Sequence, residues 1–529
     1  MAGENKTMSP VLEAEGVSTG DLEQLLQAFA ETSCRLVSGD ELDRPTFGST
    51  VYIAHTKVET RFGPFTAYIF QDIIHKGYIV ALACGPITEA EELYTRLHSS
   101  CVTSETLRGC DCDCVQQLEG AIERIAQQGQ GVLFYLLQEG RGVGYTAKAR
   151  DRMLVQASQD TISTFDAYRM LGLRKDYRQY LNISDICTIL GIRAGWVVLT
   201  NNPDKVEAMR AQGLKVNRME NLEFEPEPYN LAYLRSKAES GHKLQRAQAS
   251  KLQSVRTPEQ VVPFKPRALE NARRFVYMAN YFLPIRPVYD KVLLTPKDQA
   301  RLFREKTLDD YLEEENSCLI SVQTLRHKRL LVEINRDCLN QRKERAPDDP
   351  IVSLLTMPYW FRAHVYFDIV TGTDFVILTH GDFRDDDAPV VRIQSESILN
   401  RFPLQNTDNK QKYIRTLEEI IEYGAGAIIL VYHDGRGAGF GAYAVDRMMM
   451  EAGSSVSSKE SYEKIGVGYD QRDYEGLFTV LKNHLPSERI QMVMNSPSSL
   501  VLKPEYAEAL NRHKLDVVNW IFLEESEES

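Results

Sequence analysis

The sequence predicts an α/β fold built as two tandem domains joined by a helical insert. Three observations predict it. Short apolar runs alternate with stretches of helical spacing in the first 225 residues or so. A set of motifs from the first half returns, in the same order, in the second half. The stretch between them is different, with Leu231 to Val255 rich in Lys, Arg, Gln and Ala and reading as a solvated helix.

The elements follow in chain order. Leu118, Ala121, Ile122, Ile125 and Ala126 fall at helical spacing, and Gly129 stops them. Val132 to Leu137 reads as a buried strand, followed by Gln138-Glu139-Gly140-Arg141-Gly142-Val143-Gly144 and a helix starting near Tyr145. Trp196 to Leu199 is a second strand, followed by Asn201-Asn202-Pro203. A helix from Lys205 to Gly213 and the run Leu214-Lys215-Val216 complete the pattern.

The second half repeats it. Gln138 to Gly144 recurs as His433 to Gly439, and Asp151-Arg152-Met153 as Asp446-Arg447-Met448. Asp176-Tyr177-Arg178 recurs as Asp470-Gln471-Arg472, and Asn201-Asn202-Pro203 as Asn495-Ser496-Pro497. The offset stays near about 295 residues, which scattered short motifs do not do. The expected layout is an N-terminal extension over 1–49, one domain over 50–225, a linker and helical insert over 226–349, and a second domain over 350–525. Residues 1–20 and 524–529 read as frayed ends.

Composition narrows the function. The 529 residues are 43% hydrophobic and 26% charged, with a formal charge of −12 at pH 7. That charge argues against a broad nucleic-acid surface, though a locally basic site for a phosphorylated ligand is compatible with it. No apolar run is long enough to span a bilayer, and the polar start lacks a signal-peptide core. Nine cysteines, four of them between Cys101 and Cys114, are not a secreted disulfide framework, so a reducing cytoplasm is the expected location.

The chemistry concentrates in the first repeat. Cys101, Cys112 and Cys114 offer three thiolates to a zinc ion, leaving a fourth position for water. The glycine loop holding Arg141 is a seat for phosphate. Together they suggest a zinc hydrolase acting on a phosphorylated small molecule.

Over about residues 56–223 the chain resembles GTP cyclohydrolase II. Five ordered motifs carry the resemblance: Arg96-Leu97-His98-Ser99; Cys101, Cys112 and Cys114; Gln138 to Arg141; Asp176-Tyr177-Arg178; and Thr200 to Lys205. The resemblance implies a mixed-sheet domain and hydrolytic opening of the imidazole ring of GTP, the first step of riboflavin biosynthesis, with release of formate and pyrophosphate. It implies one Zn²⁺ in the first repeat, Mg²⁺ with the triphosphate, and GTP contacts from Arg96, His98, Ser99, Gln117, Glu139, Gly140, Arg141, Thr164, Thr200 and Lys205. Asp176 takes the role of proton acceptor and Arg178 that of nucleophile toward the α-phosphate. Neutralising an Arg near pH 7 costs about 7 kcal/mol or more, so a charged Arg178 clamping the phosphate is the cheaper role.

The chain departs from the family pattern in three places. Asp111 stands where Arg usually precedes the second zinc cysteine, Ser100 where Glu is usual, and Arg152 where Tyr follows the glycine loop. Cys110 is left spare. The Arg152 departure raises an alternative, ring opening of another nucleotide. Asp111 and the altered second repeat raise another, a regulatory nucleotide binder without turnover. The second repeat has no cysteine, and Met494 and Ser499 replace Thr200 and Lys205, while Arg436, Asp470 and Arg472 remain. It is expected to be a degenerate half that pairs with the first, as an intrachain pseudo-dimer or within a homodimer, with no nucleic-acid or membrane partner.

Overall fold

The computed structural model describes residues 48–523 except 256, 258–273, 287–289, 382, 384–385, 432–433, 486 and 498–503. The N-terminal extension up to residue 47, the frayed ends and Ser499 lie outside the described residues.

Two seven-stranded mixed sheets dominate the architecture. The first contains β1 (Thr50–Thr60), β2 (Gly63–Asp72), β3 (Tyr78–Cys84), β4 (Glu92–Ser99), β5 (Gly131–Leu136), β6 (Gly195–Leu199) and β7 (Val216–Glu220), in the order β1-β2-β3-β5-β4-β6-β7. The β1, β2, β3 and β5 strands pair antiparallel, and β5, β4, β6 and β7 pair parallel. β5 and β6 are buried along their whole length, as expected of strands covered on both faces.

The chain continues through β8 (Phe275–Ile285), β9 (Lys291–Leu294), β10 (Leu319–Thr324), β11 (Leu330–Ile334), β12 (Tyr359–Asp368), β13 (Thr373–Gly381), β14 (Val390–Ser395), β15 (Ala425–Val431), β16 (Arg489–Met494) and β17 (Asp516–Phe522). The second sheet runs β8-β12-β13-β15-β14-β16-β17, which is the first sheet's order strand for strand. β9, β10 and β11 form a separate antiparallel sheet between β8 and β12.

The intervening segment 226–349 holds that small sheet beside its helices, and β8, the outer strand of the second sheet, precedes the expected boundary at 350. The alternation of β8 is masked in the sequence because its last seven residues are all buried, leaving no polar face to reveal a period of two. The single helix expected from Leu231 to Val255 is two short ones, Leu231–Glu239 and Gln245–Ala249, with the residues between them turning at Gly241. Cys318 and Cys338 form a disulfide within the insert, which the sequence reading did not anticipate.

The repeats pack as a pseudo-two-fold pair. The helix Tyr145–Ala157 lies on β8 of the second sheet, and its counterpart Phe440–Glu451 lies on β1 of the first. Bridges Gly109–Ile285 and Thr60–Leu404 repeat the exchange at the strand ends. One core unites Phe440, Ala444 and Met448 with Ala54, Val58 and Ile122; another unites Tyr145 and Ala149 with Tyr281 and Leu283. Each large apolar side chain so buried contributes about 1.5–3 kcal/mol, so the repeats share one hydrophobic interior. Among the described residues, no helix is long and apolar enough to cross a membrane.

Candidate metal and nucleotide site

The carboxyl ends of the parallel strands β4, β5 and β6 open onto a cavity of about 120 Å³, the place where open α/β sheets bind ligands. β4 delivers Arg96, His98 and Ser99 and leads to Cys101. The helix Cys114–Gln128 starts at the third cysteine and carries Gln117. β5 leads to Glu139, Gly140 and Arg141, and β6 to Thr200 and the helix Pro203–Ala211 with Lys205. All these line the cavity, as do Thr164 and Arg178, whereas Cys112 and Asp176 do not. Cys112 is buried beside Cys101, and Asp176 is tied to Arg178.

The three thiols converge. Cys101 Sγ and Cys112 Sγ are 3.7 Å apart, and all three sulfurs lie within 4.8 Å of one another. A tetrahedral zinc with Zn–S bonds of about 2.3 Å needs sulfurs about 3.8 Å apart. The donor set and its spacing therefore fit zinc. Lys148 Nζ, 3.0 Å from Cys101 Sγ, offsets part of the negative charge three thiolates bring. Cys110 stays out of the triad, with its thiol pushed up to about 12 by burial. Among the described residues this is the one such cluster, and it belongs to the first repeat.

Two motifs distant in sequence are joined by a glycine. Gly142 has φ of 87°, and a Cβ there would sit 2.9 Å from the Tyr177 carbonyl carbon and 3.0 Å from Arg178 N. Without one, Tyr177 N donates to Arg141 O at 2.9 Å, and the Asp176–Arg178 loop folds onto the glycine loop. Gln138 and Gln179 add a reciprocal pair of side-chain-to-backbone bonds at 2.7 and 3.2 Å. Arg178 Nε lies 2.9 and 3.0 Å from the two Asp176 oxygens. Burial opposes the Arg178 charge, but Tyr180 and Asp176 outweigh it and hold the guanidinium above its ordinary pKa. Burial raises Asp176, and Arg178 more than reverses that, so the carboxylate stays ionised.

The rest of the wall is basic and tightly held. Arg96 donates to Leu199 O at 2.8 Å and to Gln117 Oε1 at 2.5 Å. Lys205 Nζ donates to Leu97 O at 2.7 Å; burial, then Arg178 and Arg96, push its pKa well below the usual lysine value. Glu139 accepts from Val102 N and from Lys148 Nζ, each at 2.8 Å, so both its oxygens are already engaged. Thr164 is the first residue of its helix; the cap is Ser163, in a reciprocal capping box with Asp166.

Sequence reasoning missed one wall. Tyr233 and Lys237 from the helix Leu231–Glu239, with His242 after it, close the cavity. Lys237 Nζ pairs with Asp113 Oδ1 at 2.9 Å, between two of the thiols in sequence, and lies over the Tyr233 ring. The signal was a Lys and a Tyr four apart on one helical face, which a composition-based reading of the segment as solvated conceals. Arg152 lies over the same ring, 4.7 Å from its centre, and forms a buried ion pair with Asp111.

The second repeat keeps the scaffold without the thiols. Ile398 N donates to Asp434 as Val102 N does to Glu139, Gln471 N donates to Arg436 O, and Arg472 pairs with Asp470. Gly437 allows the same close approach as Gly142.

Comparison with known proteins agrees with this pairing. Residues 51–221 and 352–520 each match the family model of GTP cyclohydrolase II. A GTP cyclohydrolase-2 of Azotobacter vinelandii (strain DJ / ATCC BAA-1303) is 40% identical over 197 residues, covering 37% of this chain and 93% of that protein. A GTP cyclohydrolase-2 of Pseudomonas putida (strain W619) is 38% identical over 195 residues, with the same 37% and 93% coverage. The riboflavin biosynthesis protein RibBA of Endomicrobium trichonymphae is 34% identical over 195 residues, 37% of this chain and 47% of that protein.

Proposed function

We propose that this chain, which belongs to the GTP cyclohydrolase II family, opens the imidazole ring of GTP in its first repeat and releases formate and pyrophosphate. The observation that carries the reading is the thiol triad beside a cavity walled by Arg96, Arg178 and Lys205. Cys101, Cys112 and Cys114 would hold a zinc ion, whose Lewis acidity would lower the pKa of the attacking water. The protein supplies the rest. Lys148 balances the thiolates. Arg178, fixed by Asp176 and kept charged, clamps the phosphate that is cut, and Asp176 accepts a proton. Arg96 and Lys205 seat the remaining phosphates, with Mg²⁺ as their counter-ion. Gln117, Ser99, Thr200 and the Gly140–Arg141 turn complete the contacts, and the second repeat serves as a degenerate structural partner.

The Arg152–Asp111 ion pair favours a second reading. It stands where the family has Tyr and Arg, so the same chemistry on another nucleotide is the alternative. Incubating the zinc-loaded full-length protein with GTP and following formate, pyrophosphate and the ultraviolet spectrum separates the two. Intact GTP alongside turnover of a different nucleotide sinks the GTP reading; tight binding of every nucleotide with no turnover sinks both.

A further inference from the structure

We propose that the second repeat completes the first repeat's cavity through Arg401, a positioning residue that sets which nitrogen of His98 carries the proton. The kinetic consequence rests on the cavity being a nucleotide site; the structural claim does not.

His98 lines the cavity and is 2% exposed. Its Nε2 is 2.8 Å from Glu105 Oε1, and its Nδ1 has no protein hydrogen-bond partner. The other Glu105 oxygen is 2.5 Å from the Tyr135 hydroxyl. That hydroxyl is 3.1 Å from Arg401 Nη1, and Arg401 Nε is 2.6 Å from Glu396 Oε1. Tyr135 also stacks on His98, with ring centres 5.7 Å apart and planes 11° from parallel. His98, Glu105, Tyr135, Arg401 and Glu396 are all buried.

The direction of this chain follows for a carboxylate at Glu105 and a neutral imidazole at His98. A guanidinium only donates, so Tyr135 accepts from Arg401 and gives its one proton to Glu105. Glu105 then accepts through both oxygens, and Nε2 of a neutral His98 must be the donor. Nδ1 is left as an unpartnered acceptor on a residue that lines the cavity, matched to an N–H or O–H of the substrate. Arg401 thus fixes a hydrogen-bond polarity one helix, one strand and one domain away.

Register explains why the second repeat can do this and a copy of the first could not. Glu105 lies four residues after Cys101, and Arg401 four after Ser397. Val102 and Ile398, the next residues, make equivalent bonds to Glu139 and Asp434. Across the pseudo-two-fold, two first repeats would oppose carboxylate with carboxylate. The Arg at the equivalent position turns that repulsion into a relay.

The test is ¹⁵N-histidine NMR on the full chain, with His98 assigned by loss of its signal in His98→Gln. Wild type is expected to show the Nε2–H form alone. Arg401→Met is expected to mix the two tautomers and to lower kcat/KM for GTP about tenfold or more, chiefly through KM; Arg401→Lys, which keeps a donor, is expected to recover part of both. An unchanged His98 tautomer in Arg401→Met overturns the proposal. Where that variant does not fold, Arg401→Gln, whose amide can accept as well as donate, decides: unchanged tautomer and unchanged KM overturn the proposal. A tautomer shift in a protein that never turns over GTP upholds the Arg401 relay and removes the GTP reading.

Discussion

Arg152 Nη2 lies 3.4 Å from Asp111 Oδ2, with the two side chains 10% and 8% exposed. These are two of the positions at which the chain departs from the family pattern, and each supplies the charge the other needs. Burial works against the Arg152 charge, and Asp111 and Asp151 more than restore it. Removing one member of a buried pair strands the other and costs about 3–5 kcal/mol, whereas removing both together is often neutral. Arg152→Met and Asp111→Asn are each expected to lower stability markedly, and the double variant to cost less than their sum, by about 1–3 kcal/mol in a denaturant double-mutant cycle.

Zinc separates the neighbouring cysteines. Cys112→Ser is expected to abolish stoichiometric zinc and GTP turnover together. Cys110→Ser, whose thiol lies outside the triad, is expected to keep both. Elemental analysis of the purified variants checks this, and zinc loss in Cys110→Ser would count against the assignment of Cys114.

Arg178→Ala is expected to lower kcat by about 10²–10³-fold, the scale of a lost transition-state contact, with the fold and zinc content intact. Arg178→Lys keeps a charge but not the fork that grips Asp176, so it is expected to recover only a small part. Pyrophosphate release under single-turnover conditions reads the step directly.

Lys237 lies beyond the segment that matches the family model. Lys237→Met leaves Asp113 buried without its cation and removes a charge from the cavity wall. A rise in KM of about tenfold or more is expected, with a loss of stability of about 3 kcal/mol. Steady-state kinetics and thermal unfolding measured on one preparation distinguish the two effects.

Asp434 gives a pH dependence of known sign. Burial, then the nearby Glu396, push its carboxyl up to about 7. Between about 4, its unfolded value, and that value the native state holds the extra proton. Stability from this group is therefore full at low pH and falls as pH rises, by up to about 4 kcal/mol. Asp434→Asn, which keeps an acceptor for Ile398 N, is expected to stabilise the chain at pH 8 and to do little at pH 4. Equal shifts in melting temperature at both pH values would contradict this.

The duplication, the triad, the glycine loop and the Asp176–Arg178 loop were legible because each is a local string of residues whose spacing carries chemistry. Cys101, Cys112 and Cys114 lie within fourteen residues, and the short helix Val102–Glu105 with the turns after it brings them back together. Strand β8 was not legible, since seven consecutive buried residues hide a strand's period. The wall made by Tyr233 and Lys237 was not legible because its charged and aromatic side chains read as solvent-facing until a cavity is set against them.

The residues alone determined that this is a doubled α/β chain with one set of thiolates, since zinc ligation and phosphate seating depend on residue type at short range. Only the tertiary structure decided what the altered positions mean. Asp111 meets Arg152 across forty-one residues, and Tyr135 meets Arg401 across 266. Charge compensation depends on distance in space, and the pseudo-two-fold packing of the repeats brings the second of these pairs together.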